Sequence, residues 1–194
     1  MSINEEKERF RKTAKAVRAS IENKEETSEQ IAKKLFSLEC YKNCESLFAY
    51  FSYPQEVSTK RIIEKALFDG KKVALPRCES ESKMSFYYIE SDSVLENGKF
   101  KGILEPKETG EKAFFCKNAL ILVPALAFGK NGSRLGHGKG FYDRFLPSFK
   151  GERIGLCFSK LLFDSLPEDE FDLRVSLVIT ENEIIRTAFA VSQK

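Results

Sequence analysis

Leu120-Ile121-Leu122-Val123 is four apolar residues in succession, closed by Pro124. A strand with no polar face belongs in the middle of a sheet covered on both sides, which is the habit of parallel sheets. Further strand-like runs lie at 47–51, 72–75, 84–88, 154–158 and 177–180, and helical patterns stand between several of them. Ile3, Phe10, Ala14, Val17 and Ile21 fall at helical spacing, with Glu5 and Glu6 in the first turn, where the helix dipole favours acids. Thr27 followed by Gln30 has the form of a capping box and opens a second helix, with Ile31, Leu35 and Leu38 on one face. A third helix over 59–69 stops at Gly70, and the strand 72–75 after it is ended by Pro76. Strand, helix, strand in that order implies parallel pairing through a right-handed crossover. The polar stretch 90–98 reads as surface loop.

The expected fold is α/β: a three-layer α/β/α arrangement with a mostly parallel central sheet, one domain over residues 1–194. No stretch reaches the roughly 18 apolar residues of a membrane span, so no membrane partner is expected. Asn4-Glu5-Glu6-Lys7 breaks the basic-then-apolar order of a secretory signal, and a cytoplasmic location follows. Five scattered cysteines suit reduced thiols; with His137 the sole histidine, Cys40 and Cys44 lack partners for a soft metal site. A net charge of +3 is small for a nucleic-acid binder, so no nucleic acid is expected and any anion site must be local. A monomer is the expectation.

Five of the eleven glycines lie between Gly129 and Gly140, in the run Gly129-Lys130-Asn131-Gly132-Ser133-Arg134-Leu135-Gly136-His137-Gly138-Lys139-Gly140-Phe141-Tyr142-Asp143-Arg144. Such density after a buried strand means a backbone that goes where a Cβ cannot. Loops of this type aim successive N–H groups at one spot, and a helix expected from about Phe141 adds its positive end. Lys130, Arg134, Lys139 and Arg144 face a single acid, Asp143, across this run. Phosphate suits the cations, and Asp143 suits Mg²⁺, which takes one or two carboxylates beside phosphate oxygens. Taken alone the run also fits a flexible basic surface loop. Its spacing is neither that of a P-loop nor that of a dinucleotide fingerprint. On the first helix Lys7, Arg11 and Arg18 form a basic row within ~40° of one another.

The run from Asn131 to Asp143, preceded by Pro124-Ala125-Leu126-Ala127-Phe128, closely resembles the hallmark of the 5-formyltetrahydrofolate cyclo-ligase family, also called methenyltetrahydrofolate synthetase. The resemblance extends over nearly the whole chain: Lys7-Glu8-Arg9-Phe10-Arg11, Glu56 within Phe51-Ser52-Tyr53-Pro54-Gln55-Glu56-Val57, Leu75-Pro76-Arg77, Gly102-Ile103-Leu104-Glu105-Pro106, and Asp172 within Glu170-Phe171-Asp172-Leu173-Arg174-Val175. His137 stands where the family commonly carries tyrosine or arginine, and Ser176 where an acid is frequent.

What the resemblance implies is ATP-dependent conversion of 5-formyltetrahydrofolate to 5,10-methenyltetrahydrofolate, with ADP and phosphate released. It implies ATP and Mg²⁺ as cofactors. Lys7, Arg11, Arg134, Gly136, His137, Gly138, Lys139, Gly140, Phe141 and Tyr142 then bind the nucleotide, with Arg134 and Lys139 assisting the chemistry. Phe51, Glu56, Glu105 and Tyr142 bind the folate, and Asp143 with Asp172 the metal. Phe51 and Phe86 also fit ordinary core packing. A nucleotide-binding regulator, an RNA-binding protein and a phosphotransferase for another small metabolite are the competing readings of the residues themselves.

Overall fold

The structure is a computed structural model and describes residues 2–91, 95–98, 104–114, 116 and 118–188. Helix α1 (Ile3–Ala19) opens on a capping box in which Ser2 Oγ accepts from Glu5 N–H while Glu5 accepts from the Ser2 N–H. Its inward stripe places Ala14 fully in the core. Helix α2 (Lys24–Ser37) begins earlier than the Thr27–Gln30 pattern suggests. The Thr27 N–H is already bonded to Asn23 O, so no orphan donor remains there for a capping box; Asn23, at φ 52°, makes the entry turn instead. Helix α3 (Glu39–Asn43) is a single turn, and α4 (Lys60–Phe68) ends as expected at Gly70, at φ 75°.

The strands are β1 (Ser46–Phe48), β2 (Lys72–Cys78), β3 (Met84–Ile89), β4 (Leu95–Asn97), β5 (Leu104–Pro106), β6 (Ala119–Val123), β7 (Ala127–Gly129), β8 (Arg134–Leu135), β9 (Glu152–Leu156), β10 (Leu162–Phe163), β11 (Leu177–Ile179) and β12 (Ile184–Arg186). Among the described residues, seven of them form one sheet in the order β12-β11-β9-β6-β1-β2-β3. The five inner strands are mutually parallel, and only the edges β12 and β3 run antiparallel. The expectation of an α/β domain with a mostly parallel central sheet is met. Leu120, Ile121, Leu122 and Val123 are all fully buried, as a strand without a polar face requires. Helix α4 packs on β2 and α2 reaches β11, while helix α5 (Phe141–Phe145) brings Phe145 to 4.7 Å from the Phe86 ring. Phe86 also stacks edge-on against Phe48, so it is core, and one contiguous apolar cluster unites sheet and helices in a single domain.

Several strand boundaries differ from the sequence expectation, β9 among them at 152–156 rather than 154–158, and those of β2 and β1 have local reasons. Pro76 lies inside β2 and pairs with Phe86. The main chain of Lys72 and Ala74 bonds toward the β1 side, so by alternation the Pro76 nitrogen also points there, past the end of β1, where no acceptor calls for an N–H. Strand β1 stops at Phe48; Tyr50 and Phe51 leave the sheet for the loop that follows. Within 90–98, residues 95–97 pair with β5 in a short ribbon rather than forming loop throughout, and 92–94 lie outside the described residues, as do Gly102 and Ile103 of the 102–106 landmark.

The strand order fixes where a ligand can bind. From β1 the chain moves to β2 on one side, then returns to β6 on the other and continues outward through β9 and β11. The loops after β1 and β6 therefore diverge at their carboxyl ends, which opens a crevice at this switch point.

Candidate active site

A cavity of about 1030 Å³ occupies that crevice, at the upper end of the ~300–1000 Å³ usual for one small-molecule site. Every residue that the resemblance implies for nucleotide, folate or metal lines it, whereas Lys130, Arg18 and Phe86 do not. Helix α1 contributes Lys7 and Arg11; the loop after β1 contributes Phe51 and Glu56; Glu105 comes from β5. The glycine run supplies Arg134, Gly136, His137, Gly138, Lys139 and Gly140, leading into Phe141, Tyr142 and Asp143 on α5; Asp172 arrives from the far end of the chain.

The glycine run is held against α1. Arg11 Nε donates to Gly136 O at 3.0 Å, and Gly138, at φ 96°, presents its bare Cα to the same guanidinium. A Cβ there would stand 3.5 Å from Arg11 Cζ and fill the gap between loop and cation. The loop's main chain and the Arg11 guanidinium thus lie side by side on one wall of the cavity, where a phosphate in the cavity would meet both. Helix α5 has only five residues, so the helix-end contribution expected from the sequence is reduced to one turn. Lys130 does not join the cations: it turns outward to Asp164, 3.0 Å away.

The acids in the cavity meet the cations pairwise. Arg134, buried, donates to Asp143 Oδ1. Lys7 Nζ bonds Asp172 Oδ2 and also Asp169 Oδ2, the latter at 2.6 Å. Burial alone would lower the Lys7 pKa, but the hydrogen bonds it donates to the two carboxylates outweigh it and raise it; the bond to Asp169 holds that carboxyl below the usual carboxylate range. Sequence reading missed Asp169, because a partner 162 residues away leaves no local trace. The Leu173 N–H lies 3.4 Å from Asp143 Oδ1, so the two candidate metal ligands converge. Each meets its cation through one oxygen, Asp143 through Oδ1 and Asp172 through Oδ2. Among the described residues no three His, Cys, Asp or Glu side chains could cage a metal; a pair of carboxylates suits Mg²⁺, which fills its shell with phosphate oxygens and water.

Next to this cluster lies a more enclosed region. Glu56 is 8% exposed. Its Oε2 accepts from Tyr53 N–H at 3.1 Å, and Oε1 lies 3.7 Å from Arg18 Nη1 and 3.5 Å from His137 Nε2. His137 thus links the glycine run to the loop after β1. Arg18, grouped with Lys7 and Arg11 in the sequence, points instead behind Glu56. Glu105 is 2% exposed, with Oε1 accepting from Cys78 N–H at 3.3 Å. Tyr142 lies edge-on to Phe86, and its buried hydroxyl has no partner among the described residues. Burial, reinforced by the Glu56 charge, raises its pKa well above the ordinary value, so it stays a neutral donor. Ser176 is a structural residue: its hydroxyl donates to Glu152 Oε2 at 2.6 Å, beside the β9–β11 pairing.

A single α/β domain with a cavity of this size at its switch point has the architecture of a protein that binds small molecules. The chain belongs to the 5-formyltetrahydrofolate cyclo-ligase family, whose profile matches residues 3–181. It is 30% identical over 200 residues to a probable 5-formyltetrahydrofolate cyclo-ligase of Caenorhabditis elegans, covering 95% of this chain and 97% of the relative. A similar relative in Schizosaccharomyces pombe, also described as a probable 5-formyltetrahydrofolate cyclo-ligase, is 30% identical over 173 residues, covering 80% and 84%. The solved structure of Aquifex aeolicus 5,10-methenyltetrahydrofolate synthetase superposes with a TM-score of 0.82 at 32% identity, covering 97% of this chain and 96% of that one.

Proposed function

We propose that this chain, as one domain over residues 1–194, catalyses the ATP-dependent closure of 5-formyltetrahydrofolate to 5,10-methenyltetrahydrofolate in the cytoplasm. The observation that carries the reading is the 3.5 Å approach of His137 to Glu56, which sets the glycine-and-cation cradle directly beside a buried carboxylate with aromatic neighbours. Two ligands bound in these adjoining regions would touch.

In the proposed reaction the formyl oxygen takes the γ-phosphoryl group and ADP leaves. N10 of the same folate then attacks the formyl carbon and loses its proton, and phosphate departs with the former formyl oxygen. Both nucleophiles belong to the substrates, so the protein's work is alignment and stabilisation of charge. Lys7, Arg11, His137, Arg134, Lys139 and the main chain at Gly136, Gly138 and Gly140 hold the triphosphate, with Phe141 and Tyr142 beside it. Arg134 and Lys139 act where charge develops on the transferred group. Glu56 accepts N–H bonds from the amino-pyrimidine edge of the pterin, and Phe51, Glu105 and Tyr142 line the same region. Mg²⁺ at Asp143 and Asp172 would neutralise the phosphate oxygens. Lys7 pairs with Asp172 and Arg134 with Asp143, so each proposed phosphate contact stands beside a proposed metal ligand.

The test is a spectrophotometric assay for methenyltetrahydrofolate with each component omitted in turn. Product is expected only when 5-formyltetrahydrofolate, ATP and Mg²⁺ are all present. Nucleotide binding without methenyl product would instead favour a regulator that shares the fold.

A further inference from the structure

Arg18 lies two helical turns past Arg11 on α1, yet its side chain is 8% exposed and, unlike Lys7 and Arg11, does not line the large cavity. Its Nη2 donates to Ala125 O, just beyond β6, and its Nη1 approaches Glu56 Oε1 in the loop after β1. One guanidinium therefore spans the two loops that diverge at the switch point. Arg18 Nε is buried with no hydrogen-bond partner among the described residues. Arg18 borders a small cavity of about 10 Å³ shared with Tyr50, Glu56 and Cys157, which is space for about one water molecule.

We propose that Arg18 is a positioning residue for the folate subsite, acting through Glu56. The carboxylate is held from three directions: by Arg18 behind, by the Tyr53 N–H beside it, and by His137 on the open side. Of these, His137 is half-exposed and stands where a ligand would enter, so it is displaced when a pterin edge docks. Arg18 and the Tyr53 amide then keep the carboxylate in place. A carboxylate aimed by a buried, planar, permanently charged group loses little freedom on binding. Lysine cannot replace that arrangement, since a point charge on a flexible stem does not reach Ala125 O and Glu56 together in a fixed geometry.

This inference rests on the assignment of Glu56 to the folate, and the experiment separates the two. Steady-state constants are measured for Arg18→Lys, Glu56→Gln and the double variant, with thermal melts as a check on folding. Arg18→Lys is expected to raise KM for 5-formyltetrahydrofolate about tenfold, with KM for ATP and kcat within about twofold of wild type. In the Glu56→Gln background the same substitution is expected to change folate KM by less than about twofold, because its route of action is gone. Equal effects in both backgrounds, or equal rises in both KM values, mean a merely structural role and overturn the proposal. A normal folate KM for Glu56→Gln overturns the assignment of Glu56, and the proposal with it. Should Arg18→Lys not fold, the Arg18 Nε–H resonance of the wild-type protein is followed by NMR. It is expected to shift on titration with 5-formyltetrahydrofolate and not with ATP. No shift while the Glu56 amide moves overturns the proposal, whereas no movement of either signal counts against the folate reading itself.

Discussion

Lys7 Nζ sits 2.6 Å from Asp169 Oδ2, joining the second turn of the first helix to a loop 162 residues away. The bond closes one wall of the active-site cavity, and it titrates at both ends. The raised pKa of Lys7 gives stability that is complete below the ordinary lysine value of 10.5 and is lost as pH climbs through the higher folded value. The lowered pKa of Asp169 gives stability that is present above 3.8 and is lost as pH falls through the lower folded value. Denaturation of wild type and Lys7→Met at several pH values should therefore differ by a constant amount from about pH 5 to 9, on the order of 1–2 kcal/mol for bonds between charged groups. That difference should shrink below the ordinary aspartate range. A difference independent of acid would show that the pair contributes no net stability.

Asp172 shares the same lysine and is a proposed ligand of the metal. Asp172→Asn is expected to raise the Mg²⁺ concentration for half-maximal rate by about tenfold or more, the scale of losing one charged ligand. Folate KM should change little. Magnesium dependence like that of wild type would remove Asp172 from the metal site.

Lys139 occupies the left-handed turn between Gly138 and Gly140, where the main chain approaches Arg11. Replacing it by Met leaves the packed core untouched, because Lys139 lies outside it. The expected outcome is a fall in kcat of about 100-fold or more, the usual cost of a lost transition-state donor, with an unchanged melting temperature. Wild-type turnover would place the residue outside the chemistry.

Glu56→Gln keeps the shape of the side chain and removes its charge. Folate KM should rise by about 10- to 100-fold, corresponding to loss of charge-assisted hydrogen bonds, with ATP KM little altered. Equal effects on both substrates would argue for a role in loop structure.

The sheet and the glycine run were legible in the sequence for the same reason: both leave local compositional marks. A strand buried on both faces is an unbroken apolar run, as at 120–123, and a backbone in left-handed conformations at Gly132, Gly138 and Gly140 needs glycine. Features set by partners distant in the chain were not legible. Pro76 looked like a strand terminator because only the fold shows that its nitrogen faces a vacated side of β2. Arg18 looked like the third member of a basic row because helical angle places it in line with Lys7 and Arg11, while its direction of reach is decided by Glu56 and Ala125. Lys130 counted among the loop cations until Asp164 drew it away. Asp169 had no local signature at all.

Phosphorylation of the formyl oxygen in this cavity is the central proposed step, and an isotope measurement addresses it directly. With 5-formyltetrahydrofolate carrying ¹⁸O in the formyl group, a single turnover should give methenyltetrahydrofolate and ADP in equal amounts, with the label in the released phosphate. Unlabelled phosphate, or ATP hydrolysis without methenyl product, would contradict it.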